Sequence, residues 1–243
     1  MIGMAFLIAA GWLLAIVAQV TGNAGLLHHH SLIEGGLPLW FGAAAFVLSW
    51  QVMIAAMMLP ASVPAMRVMG VASARRVGGT AGTAGGAAFL AAFALVWTLF
   101  GLAAFGGDAI LHRIVDVTPR LAARPWLIEG GVLAIAGLYQ LTPLKARSLA
   151  ECRHPVSRLD PHGSGSSALS LGLEHGLACI GSSWALMLLM FAEGFANLGW
   201  MAVLTGLMAY ETIGRRGPSL AWVAGLGLLQ LAGFVVARGL LAF

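Results

Sequence analysis

The stretch LGLEHGLACIGSSWALMLLM, residues 171–190, is apolar enough to cross a membrane but carries three side chains that a lipid-facing helix avoids. Glu174, His175 and Cys179 lie within about one and a half helical turns of one another. An ionisable side chain near the bilayer centre costs about 2.5 kcal/mol or more when charged, so a functional role is the default interpretation. The stretch therefore predicts a membrane helix whose polar face belongs to a site inside the protein.

The composition of the whole chain predicts an integral membrane protein. Of its 243 residues, 60% are hydrophobic and only 9% are charged, whereas roughly a quarter are charged in an ordinary soluble domain. The formal net charge of +4 does not indicate a nucleic-acid partner, because the arginines fall mostly between apolar segments. Residues 1–243 are therefore expected to form a single membrane domain whose surroundings are the lipid bilayer.

Apolar windows predict an all-α, polytopic transmembrane helix bundle with about seven spans. Of the 13 Lys and Arg residues, nine, including Lys145, would lie in cytoplasmic loops and four outside. Because cytoplasmic loops carry an excess of basic residues, this asymmetry predicts an N-inside, C-outside chain. The predicted spans are 2–21, 39–59, 86–106, 126–143, 168–190, 194–210 and 219–242.

The fifth span has a periodic polar stripe, since residues three, four and seven apart share a helical face. Its members are His175, Cys179, Ser182, Leu186 and Met190. An imidazole and a thiol four residues apart can bind one zinc or copper ion. The same two side chains could instead hydrogen-bond a neighbouring helix. On the same span, Gly172 and Gly176 have the small-xxx-small spacing that lets helices approach closely.

Two other spans carry candidate soft ligands. In the sixth, the intervals place Glu193, Asn197, Met201, Leu204, Met208 and Glu211 on one face. The second span ends WQVMIAAMMLP, residues 50–60, where Trp50, Met53 and Met57 align and Met58 lies beside them. Thioethers suit Cu(I), although a methionine stripe is also ordinary core packing. The prolines that follow are expected to break or kink this end of the helix.

Donors from several spans and one loop would lie at similar depth, in or near the cytoplasmic half of the membrane. We therefore predict a copper or zinc site and no catalytic residues. The two cysteines are too few for a disulfide framework and are expected to lie in different environments. The candidate metal ligands are His175, Cys179, Cys152, His154, Met57, Met58, Met208 and Glu211.

Four segments resemble a bacterial family of uncharacterised proteins described as predicted metal-binding integral membrane proteins. These are WQVMIAAMMLPASVPAM (50–66), YQLTPLKARSLAECRHP (139–155), LGLEHGLACIGSSWALMLLMF (171–191) and NLGWMAVLTGLMAYE (197–211). The resemblance covers most of residues 40–215. It implies a multi-pass protein of the bacterial inner membrane.

The family pattern is rich in cysteine, and this chain departs from it. Members typically read AMMLP in the second span, T-P-L-K-x-x-C-L-x-x-C-R-x-P after the fourth and H-G-x-x-C-x-G-C-C-W in the fifth. Ser148, Ser182 and Ser183 stand at three of the cysteine positions. Since thiolates bind soft metals better than hydroxyls do, the resemblance implies either a reduced site or a scaffold that has lost its metal. The matching residues are Lys145, Cys152, Arg153, Pro155, His175, Cys179, Trp184, Asn197, Trp200, Met201 and Glu211.

Three functions compete at this point. The residues favour a protein that binds copper or zinc. A solute or proton carrier is the second, with a polar relay of Glu174, His175, Glu193, Asn197 and Glu211. A structural subunit of a membrane complex, or of a homo-oligomer, is the third. An intramembrane serine enzyme is not favoured, because Ser182 lies roughly 10 Å along the helix axis from His175, beyond hydrogen-bond reach.

Overall fold

The computed structural model describes residues 2–21, 39–76, 81–154, 168–193 and 197–242. Every regular element in these ranges is a helix, which confirms the all-α prediction. The helices are α1 (Ile2–Val20), α2 (Leu39–Met57), α3 (Leu59–Arg76), α4 (Ala81–Val117), α5 (Pro119–Ala122), α6 (Pro125–Gln140), α7 (Pro143–Arg153), α8 (Ala168–Glu193), α9 (Leu198–Ile213) and α10 (Gly217–Leu241).

Each predicted span coincides with a helix, but not all of these helices are long enough to cross a bilayer alone. Among the described residues, α1, α2, α4, α8 and α10 are long and apolar enough. Helices α6 and α7 qualify only as a pair bent by 65°, and α9 is a shorter apolar helix. Length and composition thus support five or six spans, compatible with membrane insertion. The N-inside, C-outside orientation stays a prediction.

The segment after the fourth predicted span is a helix, where the sequence predicted a loop. Thr142 is the N-cap of α7, its side chain accepting a hydrogen bond from the backbone N–H of Lys145 at 3.2 Å, and Pro143 follows in the first turn. A capping threonine followed by proline is a helix-start signal. Lys145 therefore lies in a helix, and it is buried at 1% exposure, so counting it as a basic loop residue was wrong.

Helices α4 and α8 pack side by side through glycine. A Cβ atom on Gly172 would lie 2.5 Å from the backbone oxygen of Phe89, and one on Gly176 would lie 3.1 Å from Cβ of Val96. The small-xxx-small prediction is confirmed, because the two helices approach more closely than larger side chains allow. Helix α6 packs along α10 in a similar way, with a Cβ on Gly137 2.9 Å from the oxygen of Gly225.

The predicted stripe of α8 is buried. His175 and Ser182 are 6% and 5% exposed, and Cys179, Leu186 and Met190 are 2% or less. The methionine stripe of α2 is buried with it. The polar face of residues 171–190 therefore points into the bundle, as the sequence predicted.

The stripe predicted for the sixth span is shorter than expected. Met201, Leu204, Met208 and Glu211 are buried on α9. Asn197 is instead the exposed N-cap, accepting a hydrogen bond from the N–H of Trp200 at 3.2 Å. Glu193 is the last residue of the preceding helix. Including these two residues in one helical stripe with Met201 was wrong, because α8 ends at Glu193 and α9 begins at Leu198, after Asn197.

We expect Gly172→Ala to lower the free energy of unfolding by about 1–3 kcal/mol, the usual cost of overpacking. The added methyl would meet the Phe89 backbone oxygen, which cannot rotate away. The thermal unfolding midpoint of the detergent-purified protein measures the effect. Gly227→Ala on α10 is the matched control, because nothing lies within 4 Å of its added Cβ. Equal midpoints for the two variants would contradict the close α4–α8 approach.

Candidate metal centre

Cys152 in the last turn of α7 and Cys179 in α8 lie side by side in the interior. Both are reduced thiols, each 2% exposed, and the two thiols are in hydrogen-bonding contact. The expectation that they occupy different environments was wrong. Helix α7 turns away from α6 at the 65° bend and packs against α8. Two sulfur donors from separate helices are thereby brought together.

A third sulfur, that of Met58, is linked to Cys179 through the Ser183 side chain. The hydroxyl of Ser183 donates to the carbonyl oxygen of Cys179 at 2.7 Å, lies beside the Cys179 thiol, and is 3.8 Å from Sδ of Met58. Met58 is fully buried at the turn between α2 and α3. We name Cys152, Cys179 and Met58 the sulfur cluster. Its members come from three separate parts of the chain.

The surroundings of Cys179 offer hydrogen-bond donors to a negatively charged sulfur. The indole Nε1 of Trp97 lies beside the Cys179 thiol and has no conventional hydrogen-bond partner within the described residues. A buried N–H group without an acceptor costs about 1–3 kcal/mol, and a thiolate is a stronger acceptor than a thiol. The fully buried Trp97 therefore fits a site in which this sulfur carries charge, as it does when it binds a metal.

His175 is one turn from Cys179 on α8, but its ring is held by other helices. Phe89 and Phe93 of α4 flank the imidazole, with ring centroids 5.7 and 5.8 Å away. Its Nε2 atom is 3.2 Å from Oγ of Ser62 on α3. The structure thus shows the hydrogen bond to a neighbouring helix that the sequence offered as the alternative to metal binding.

Glu211 forms a buried ion pair with Lys145. Nζ of Lys145 is 2.5 Å from Oε2 of Glu211 and also donates to the carbonyl oxygen of Ser182. Gln140 donates to Oε1 of Glu211 at 2.9 Å. The lysine and the glutamate are each 1% exposed. Both oxygens of this predicted ligand are therefore bonded to side chains of α6 and α7.

The remaining predicted ligands are not gathered into one shell of nitrogen and oxygen donors. Met57 and Met208 are buried in the core, and His154 is exposed just after α7. In the ranges that the structure describes, no group of three or more His, Cys, Asp or Glu residues is placed to hold a metal ion. The sulfur cluster contains two cysteines, and its third sulfur belongs to methionine.

The three serines that stand where the resemblance led us to expect cysteine lie on α7 and α8. Ser182 donates to the carbonyl oxygen of Cys179 at 2.9 Å, and Ser183 lies between Cys179 and Met58. Ser148 on α7 faces α8, where its Oγ would be 2.6 Å from a Cβ atom on Gly181. Cysteines at these positions would add sulfur to the same region.

Sequence reasoning missed two residues of this region. Trp97 has no spacing that relates it to the cysteines, and its proximity follows from the packing of α4 on α8. Lys145 was noted as part of a motif, but its pairing with Glu211 joins positions 66 residues apart. The sequence signal for this ion pair is limited to the presence of a lysine, Lys145, and a glutamate, Glu211, in a largely apolar chain.

Comparison with known proteins identifies a family for this chain. Residues 47–235 match the model of the PpoB2 family, described as copper chaperone. The matched region contains the sulfur cluster and the Lys145–Glu211 ion pair, and α1 lies outside it. The chain matches no curated protein and no solved structure.

We expect Lys145→Met to destabilise the protein by about 3–5 kcal/mol, because it leaves the Glu211 carboxylate buried without its cation. The double variant Lys145→Met/Glu211→Gln removes both charges and is expected to recover most of that loss. Thermal unfolding in detergent compares the two variants with the wild type. A double variant no more stable than the single one would show that packing, and not charge, holds this region.

Proposed function

We propose that this chain, which belongs to the PpoB2 copper chaperone family, holds Cu(I) as cargo between the thiolates of Cys152 and Cys179. The observation that carries the proposal is the contact between these two buried thiols, with the Met58 sulfur on the other side of Ser183 from Cys179. Thiolate and thioether ligands select Cu(I). The long apolar helices support a multi-pass location in the cell membrane for this cargo site.

The donor set favours copper over zinc. Structural zinc sites are almost always four-coordinate, with cysteine, histidine or carboxylate ligands. The described residues hold no such set, and the sulfur cluster offers two thiols and one thioether. A thioether is a weak ligand for zinc and a favourable one for Cu(I). The description of the matching family also names copper.

Side chains near Cys179 would contribute to the copper site in different ways. The Ser183 hydroxyl and the Trp97 indole N–H lie beside Cys179 and would stabilise negative charge on its sulfur. His175 remains a candidate further ligand, one turn away and bonded to Ser62. Glu211 is assigned a different role, because its carboxylate is already bonded to Lys145 and Gln140.

A cargo site must also release its ion. Cys179 belongs to the 26-residue helix α8, whereas Cys152 is carried by the 11-residue helix α7. Because a Cu(I) ion shared by two thiolates leaves when one sulfur withdraws, movement of α7 is the simplest route to release. Cys179 would therefore keep the ion bound, and withdrawal of the Cys152 sulfur would release it.

We expect the detergent-purified wild type to bind one Cu(I) per chain in competition with a chromophoric Cu(I) chelator. Cys152→Ser and Cys179→Ser should each weaken binding by more than about 100-fold, because outer-shell changes alone cost roughly 10–100-fold. Met58→Leu should weaken it by about 10-fold. The matched control is Met53→Leu, which removes another buried thioether of α2 and should leave the affinity unchanged.

Two results would contradict this assignment. Unchanged Cu(I) affinity in Cys179→Ser would place the ion elsewhere. Tighter binding of Zn²⁺ than of Cu(I), in the same competition format, would contradict a sulfur site selective for copper.

We expect Ser183→Cys to raise the Cu(I) affinity by at least about 10-fold, since it replaces a hydroxyl between two sulfurs with a third thiol. The same chelator competition measures the gain. Ser219→Cys adds a thiol at an exposed position of α10 and should bind no more tightly than the wild type. Equal gains in the two variants would mean that any added thiol suffices, and would count against the location.

A further inference from the structure

Helix α7, which carries Cys152, has a small buried face. Only Lys145, Leu149 and Cys152 are buried among its 11 residues. These three recur at i, i+4 and i+7, so they form one stripe along the helix. Apolar burial at a single leucine is a weak attachment for a helix that must hold a thiol in place. The polar contacts of α7 therefore matter more than usual for its position.

Two of those polar contacts go to the same residue of α9, and a third goes from Lys145 to the carbonyl oxygen of Ser182 on α8. Near the start of α7, Lys145 binds the Glu211 carboxylate. At the last residue of α7, Nη1 of Arg153 donates to the backbone carbonyl oxygen of the same Glu211. Gly217 leaves room for this second contact, because a Cβ there would collide with both the Glu211 oxygen and Nη1 of Arg153. Lys145 near the start of α7 and Arg153 at its end are thus both bonded to Glu211.

We infer that Glu211 is a positioning residue of the copper site: through Lys145 and Arg153 it fixes α7 so that the Cys152 thiol faces Cys179. The inference rests on the proposed function for its significance, although the dithiol geometry exists without copper. It assigns to Glu211 no contact with the ion. Lys145 and Cys152 are seven residues apart, roughly 10 Å along the axis, so the charge contact acts through the rigid helix.

A trivalent arsenical tests the geometry directly, because it binds two thiols held close together and has no use for a carboxylate. The metal-free, detergent-purified full chain is titrated with phenylarsine oxide. We expect the wild type to capture one arsenical per chain through Cys152 and Cys179, and Cys152→Ser to lose this capture. Since the probe ignores carboxylates, an effect of changing Glu211 cannot come from loss of a metal ligand.

The decisive variants remove separately the two contacts that Glu211 makes with α7. Lys145→Met/Glu211→Gln neutralises the ion pair without leaving a lone buried charge, and Arg153→Gln removes the contact at the other end. Each should weaken arsenical capture by about 10-fold or more, the scale of outer-shell effects on ligand sites. Arg147→Gln is the matched control, because it removes an equal charge from an exposed position of α7 and should behave as the wild type.

The outcomes separate this inference from the proposed function. Wild-type capture by Lys145→Met/Glu211→Gln, with its fold intact by thermal unfolding, overturns the positioning role. Weakened capture in that variant at an unchanged unfolding midpoint supports it, because a purely structural role would lower the midpoint as well. A wild type that captures the arsenical but binds no Cu(I) would refute the copper proposal and leave the positioning role standing.

Discussion

The ion pair between Lys145 and Glu211 is the constraint on which the arrangement of the sulfur cluster depends. A lysine ammonium that is 1% exposed is tolerated when an opposite charge and further hydrogen bonds replace the water that it has lost. Here Glu211 supplies the charge, and the Ser182 carbonyl supplies another acceptor. The pair ties α7 to α8 and α9 at once. The position of the Cys152 thiol follows from that tie.

The same region shows how the packing of apolar helices brings sulfur atoms together. Glycines on α8 let α4 approach closely, and that approach brings the Trp97 indole beside the Cys179 thiol. The turn at Met58 brings a thioether to the opposite side of Ser183. Polar groups at this depth are costly unless each has a partner. With the Cys179 sulfur ionised, as it would be on binding a cation, the Trp97 indole N–H beside it would gain a charged acceptor.

Much of the fold was predictable because local patterns decide it. The apolar windows coincide with helices, and the stripe from His175 to Met190 is buried as its spacing indicated. The failures also have local causes: Thr142 and Pro143 start a helix where basic residues suggested a loop, and Asn197 caps a helix that was predicted to pass through it. In each case a capping signal outweighed the composition of the surrounding segment.

The amino-acid sequence by itself determined that the chain is helical and apolar, and which face of α8 is polar, because residue spacing on one helix fixes which side chains share a face. Tertiary structure alone decided that Cys152 meets Cys179 and that Lys145 meets Glu211. These contacts join different helices, and they depend on the bend after α6 and on the glycine contacts between helices. The candidate ligands came from the sequence, and their selection into a cluster of three sulfurs came from packing.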